Sequence, residues 1–176
     1  NDNNFFRKIV DLEPKEFRKK TDSLLTVKQE AYNNYILSHP LETEGFKKML
    51  NVALTYPTYS KIERYPVIHF KRKKDSVFHK IEDFFSHRKT ITINDKNLMY
   101  YPPYTKYVRN YLYNKTYDLG HPLNVVEYSS DFTVDLLKVI DKNVDIETSK
   151  NAFLKQTVIW HFYRKSSCDV NTKPFE

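Results

Sequence analysis

Glycine is almost missing from this chain: Gly45 and Gly120 are the only two in 176 residues. A phosphate-cradling loop needs several glycines so that backbone amides can approach the anion closely, and no such loop can be built here. Cysteine is scarcer still, with Cys168 alone. One thiol rules out an intrachain disulfide and the paired thiols of a dithiol redox centre. No apolar run approaches the roughly 18 residues that a membrane-crossing helix requires. The opening Asn1 to Asn4 lacks the charged-then-apolar pattern of a targeting segment, so the expectation is that any such segment is absent or was removed.

What is present is aromatic. Fourteen tyrosines, twelve phenylalanines and one tryptophan accompany a hydrophobic content of 40% and a charged content of 29%. That is the composition of a globular domain with enough chain to bury a core without disulfides or metal. The net charge is +7, yet residues 1–88 hold 17 basic against 12 acidic side chains and residues 89–176 hold 12 against 10. Acids therefore accompany bases throughout. The single basic run, Lys71 to Lys74, reads as a solvated link between helices, and a nucleic-acid partner is not expected.

Periodicity predicts helices along most of the chain. Pro14 suits the first turn of a helix carrying Phe17, Leu24, Leu25, Tyr32, Tyr35 and Ile36 and ending near His39-Pro40. A second starts around Thr43, carries Phe46, Met49, Leu50 and Ala53 on one stripe, and should end or kink at Pro57, with residues 58–65 resuming it. Asp75 reads as the cap of a third, with Val77, Phe78, Ile81, Phe84 and Phe85 on its apolar face. Lys89 to Ile93 alternates and is the one strand candidate. Pro102-Pro103 opens a fourth helix, stopped before Gly120, with Tyr104, Tyr107, Val108, Tyr111 and Leu112 on one stripe. A fifth follows Ser130 or Asp131 with Phe132, Val134, Leu137 and Ile140 inward. Ser149 caps a sixth, offering Ala152, Phe153, Thr157 and Trp160 for burial.

These readings give an all-α fold, an irregular antiparallel helical bundle of about six helices with at most one short strand. Residues 1–13 read as an N-terminal tail or linker, 14–166 as the helical domain and 167–176 as a C-terminal linker toward a further domain, as if the chain were cut from something longer.

Chemistry-bearing constellations are sparse. His79, Asp83 and His87 have helical spacing suited to zinc, but they lie opposite the apolar face and read as a solvated surface. Glu82-Asp83 and the group Asp141, Asp145 and Glu147 read as surface charge, and Ser129-Ser130 as caps. Cys168, with His161 two turns upstream, reads as a structural or free thiol. No catalytic residue, cofactor site or metal site is expected. The strongest binding signal is tyrosine: seven occur between Tyr100 and Tyr117. Tyr104, Tyr107 and Tyr111 share a stripe that suits core packing, which leaves Tyr100, Tyr101, Tyr113 and Tyr117 as the candidate binding surface.

Three stretches carry a family resemblance: GFKKMLNVALTYPTYSKIERYPV from Gly45, DKNLMYYPPYTKYVRNYLYNKTY from Asp95, and NAFLKQTVIWHFYRKSSCDVNTKPFE from Asn151. They resemble the helical region that precedes the thioredoxin-like domain in Bacteroidetes proteins of the TlpA-like thiol-disulfide oxidoreductase group. The similarity rests on scattered Tyr, Phe, Leu and Pro positions. It implies a piece of a larger exported protein, commonly an envelope lipoprotein, placed in the periplasm or cell envelope. The chain lacks the Cys-x-x-Cys pair of that group, so no catalytic residue carries over. The function expected is therefore a non-catalytic helical domain that positions flanking domains of the same polypeptide or presents a surface to a client protein. The alternative is a stand-alone helical module that binds peptide or glycan through the tyrosine cluster.

Overall fold

Pro14 has no amide to leave unsatisfied in a first helical turn, and it opens α2 (Pro14–Ser38). In the computed structural model, which describes residues 2–74, 82–123 and 129–164, it is preceded by α1 (Asp2–Ile9). The remaining helices are α3 (Glu44–Arg72), α4 (Pro102–Tyr117), α5 (Ser130–Asn143) and α6 (Glu147–Arg164). Among the described residues no strand occurs, and the fold is an all-α helical bundle.

The N-terminal tail expected from the sequence is a packed helix. Phe6, Ile9 and Val10 are buried, and the Phe6 ring meets the edge of Phe17 at 6.0 Å. The link to α2 is fastened to α3: the Tyr65 hydroxyl donates to the Leu12 carbonyl at 2.7 Å, and His69 Nδ1 donates to the Val10 carbonyl at 2.8 Å. Asp11 and Glu13 pair with Arg72 and Lys73, so half of the expected basic run is matched by acids.

Helix α3 is the axle of the bundle, touching α1, α2 and α4. Thr43 caps it, accepting from the Phe46 amide at 3.2 Å. It then continues as one helix through Pro57, where the sequence predicted an end or a kink, and through Pro66, beyond the 58–65 stretch expected to resume it. Each proline removes one ladder hydrogen bond. Packing on several sides holds the helix across both positions: Val52, Thr55, Thr58, Ile62, Tyr65, Val67 and Phe70 are all buried.

Contacts along the helices give their directions. Tyr35 meets Phe46, Lys28 meets Thr58 and Phe17 stacks on Tyr65 at 4.0 Å, so α2 and α3 run antiparallel. Thr133 with His161 and Asp141 with Lys150 make α5 and α6 antiparallel as well. One pair differs: Tyr56 meets Tyr107, Ser60 meets Asn110 and Glu63 meets Asn114, so α3 and α4 run parallel. The connection from residue 73 to 101 makes the crossover.

That connection is where sequence and structure part most. Residues 82–85 are turns and Ser86–Lys89 is one 3-10 turn, so the expected third helix does not extend through them. Asp83 takes φ 57°, a left-handed conformation that breaks the helical path. Asp75, Val77, Phe78, His79 and Ile81 lie outside the described residues, as does Cys168 with the 167–176 segment. Of the strand expected at Lys89 to Ile93, Lys89 ends the 3-10 turn and Thr90 to Ile93 are turn and irregular backbone. Tyr104 holds it there, its hydroxyl donating to the Thr92 carbonyl at 3.1 Å and accepting from the Asp95 amide at 2.9 Å.

The inward faces also shift. In α5, Phe132 and Ile140 are buried as expected, while Leu136 and Val139 are buried in place of Val134 and Leu137, which are half-buried. In α6, Thr157 and His161 are buried, Trp160 is half-buried and Ala152 is exposed.

Candidate ligand-binding cleft

Four residues of α4, Lys106, Arg109, Asn110 and Tyr113, follow i, i+3, i+4, i+7 spacing and therefore share one face of that helix. Phe153, Gln156, Thr157 and Trp160 repeat the same spacing on α6. Together they line a cleft of about 300 Å³ whose remaining lining is Leu112, Leu136, Ile140 and, from α3, Arg64. The volume is at the small end of the range for ligand sites, and its mixture of apolar floor, aromatic walls and a few polar groups is the usual one.

Local bonding shapes the cleft. Asn110 Nδ2 donates to Ser60 Oγ at 2.7 Å and to the Ser60 carbonyl at 3.2 Å, which ties α4 to α3. Thr157 Oγ1 donates to the Phe153 carbonyl at 2.8 Å, one turn back along α6. Tyr113 packs on Phe132 at 5.9 Å and Trp160 meets Tyr163 edge-on at 5.7 Å. Arg64, Lys106 and Arg109 bring three cations to the lining, and no carboxylate is among the described residues there.

A second cluster lies in the core. Glu63 is fully buried, and its Oε1 accepts from His87 Nε2 at 2.9 Å and Arg88 Nε at 2.8 Å. Its Oε2 accepts from an Arg88 terminal nitrogen at 2.6 Å and from Asn114 Nδ2 at 2.8 Å. The Arg88 guanidinium lies 3.9 Å over the Phe85 ring, and His87 stacks on Tyr59 at 5.1 Å. Burial pushes the Glu63 carboxyl up, but the hydrogen bonds and charges of Arg88 and His87 outweigh it and hold it at about 2. A carboxylate so firmly ionised is a poor proton donor near neutrality. Its partners fasten the segment at residues 87–88 to α3 and α4, which is a role in holding the fold.

The tyrosines expected to form a surface are dispersed. Tyr100 is 81% exposed, Tyr101 is half-buried against the core, and Tyr117 is buried with its ring 4.8 Å from Phe132. Only Tyr113 of the four lines the cleft. Tyr104 and Tyr107 are buried as the core stripe predicts, and burial pushes the Tyr107 phenol far above its ordinary range. Tyr111 is half-buried, beneath Arg88 at 5.1 Å.

Of the zinc candidates, His79 lies outside the described residues, Asp83 is exposed and pairs with Lys89 at 3.0 Å, and His87 is buried on Glu63 in place of facing solvent. Among the described residues no group of three or more His, Cys, Asp or Glu could hold a metal ion. Glu82, Asp83, Asp141, Asp145 and Glu147 are exposed, as expected. Sequence reasoning missed Arg64, Lys106, Arg109, Gln156 and the buried Glu63. The repeated i, i+3, i+4, i+7 pattern on α4 and α6 was a usable signal for the cleft; nothing in the order of residues pairs Glu63 with Arg88. Against known families, curated proteins and solved structures, the chain has no significant match.

Proposed function

We propose that this chain is a non-catalytic binding module whose ligand occupies the cleft between α4 and α6. The observation that carries the reading is the convergence of Tyr113, Phe153 and Trp160 with three cations on one concavity of about 300 Å³. Aromatic walls supply contact area at low conformational cost, and the polar groups fix orientation. Trp160 is the sole tryptophan, so its indole N–H gives a single resonance in a nitrogen–proton spectrum. Screening a library of small fragments against that resonance tests the reading. Binders that shift Trp160 together with Tyr113 and Phe153 are the expected result; binders that all map elsewhere refute it.

A second reading is the domain-positioning or client-presenting role implied by the resemblance to helical regions of envelope thioredoxin-like proteins. It is favoured by apolar side chains left at the surface: Leu37, Leu41, Phe46 and Met49 near the α2–α3 turn, and Ile159, Phe162 and Tyr163 late in α6. On this reading the flanking polypeptide or a client covers those side chains. Protection of Ile159 and Tyr163 from solvent in a longer polypeptide, absent in the 176-residue chain, supports it; equal exposure in both overturns it.

A further inference from the structure

The ligand of the cleft can be narrowed by its charge, an inference that rests on the binding-module reading above. We propose that the cleft takes a small organic anion with an apolar, preferably aromatic, body and one carboxylate or phosphate head.

Lys106 and Arg109 stand one helical turn apart on α4, and Arg64 joins them from α3. Like charges at that spacing repel. Several other cations of this chain sit beside acids, Arg18 by Asp22, Arg72 by Asp11, Arg88 by Glu63, Lys138 by Asp135 and Lys150 by Asp141, while exposed lysines such as Lys20 and Lys155 stand in solvent. At the cleft no described carboxylate pairs with Lys106 or Arg109. An anion entering between α4 and α6 brings an opposite charge to Lys106 and Arg109, and a guanidinium fork matches two oxygens of a carboxylate or phosphate.

The rest of the cleft sets the body of the ligand. Leu112, Leu136 and Ile140 have nothing to offer a second charge, while Phe153 and Trp160 suit a flat ring. A volume of about 300 Å³ accommodates one ring system with a short acidic arm and is small for a chain of sugars or a long peptide. Bare inorganic anions would leave the aromatic walls unused.

The test is titration of the full 176-residue chain with four probes: 3-phenylpropanoate, phenyl phosphate, the neutral 3-phenylpropanamide and inorganic phosphate, read at the Trp160 indole resonance. The expected result is saturable shifts, with at least one organic anion binding roughly tenfold or more tightly than the amide. That preference should shrink as salt is raised from about 50 to about 500 mM, because exposed charges are screened. It should also vanish in the Lys106→Gln/Arg109→Gln variant, whose cooperative urea melt reports that it folds. Comparing phenylpropanoate with phenyl phosphate assigns the head group. Equal affinity for the amide and both organic anions overturns the charge inference and leaves the binding-module reading standing. Inorganic phosphate binding as tightly as phenyl phosphate overturns the apolar body. If no probe shifts Trp160, both this inference and its premise fall when the fragment screen is also silent; a silent result here with fragments bound in the cleft removes the inference alone.

Discussion

Replacing Glu63 by Gln tests whether a buried charge network holds the crossover segment. The side chain is 0% exposed, and its two oxygens receive two bonds from Arg88, one from His87 and one from Asn114. Gln keeps the shape but replaces one acceptor oxygen by a donor, and it leaves the mostly buried Arg88 without its counter-charge. Removing one member of a buried pair typically costs about 3–5 kcal/mol. An independent figure comes from protonation. Holding a carboxyl at about 2 in place of its ordinary 4.5 corresponds to roughly 3 kcal/mol of stability, at about 1.4 kcal/mol per tenfold change in proton affinity. Because the folded value is depressed, that stability is fully present above 4.5 and is lost as pH falls toward and through 2. Urea melts of the parent and Glu63→Gln chains should therefore differ by about 3 kcal/mol at pH 7, and the gap should narrow below pH 4.5 as the parent carboxylate takes up its proton. A difference under about 0.5 kcal/mol at neutral pH, or one that ignores pH down to 3, would refute the reasoning.

Phe6→Ala should lower stability by about 3–5 kcal/mol in the same melts, since the ring is 7% exposed against Phe17 and Lys61; a change within about 0.5 kcal/mol would restore residues 1–13 to a tail. On α4, Tyr107→Ala should cost about 3–5 kcal/mol and Tyr111→Ala distinctly less, about 1–2 kcal/mol, because Tyr107 is 1% exposed whereas Tyr111 is half-buried. Equal losses would show that burial does not rank the two.

The order of residues was sufficient to determine that this chain is helical. Apolar spacing of three and four, Pro14 and Pro102 at helix starts, Thr43 as a cap and Gly120 at φ 102° beyond α4 are local signals, and each acts within one or two turns of chain. The core role of Tyr104 and Tyr107 was legible for the same reason. What depended on distant partners was not. Phe6 and Val10 are too few to announce a packed helix until Phe17 of α2 meets the Phe6 ring and His69 of α3 bonds the Val10 carbonyl. Pro57 and Pro66 are breakers by local rule, and only packing on several sides of α3 offsets the bonds they remove. Phe84 and Phe85 have helical spacing, yet Glu63, 24 residues before His87, draws the chain into a turn because a buried carboxylate must be matched by cations and donors. The cleft is of this second kind: Lys106 and Trp160 each sit on a legible helix, but they line one cleft only because α5 packs on both α4 and α6, and tertiary packing, a sum of contacts between segments far apart in sequence, decides which faces meet.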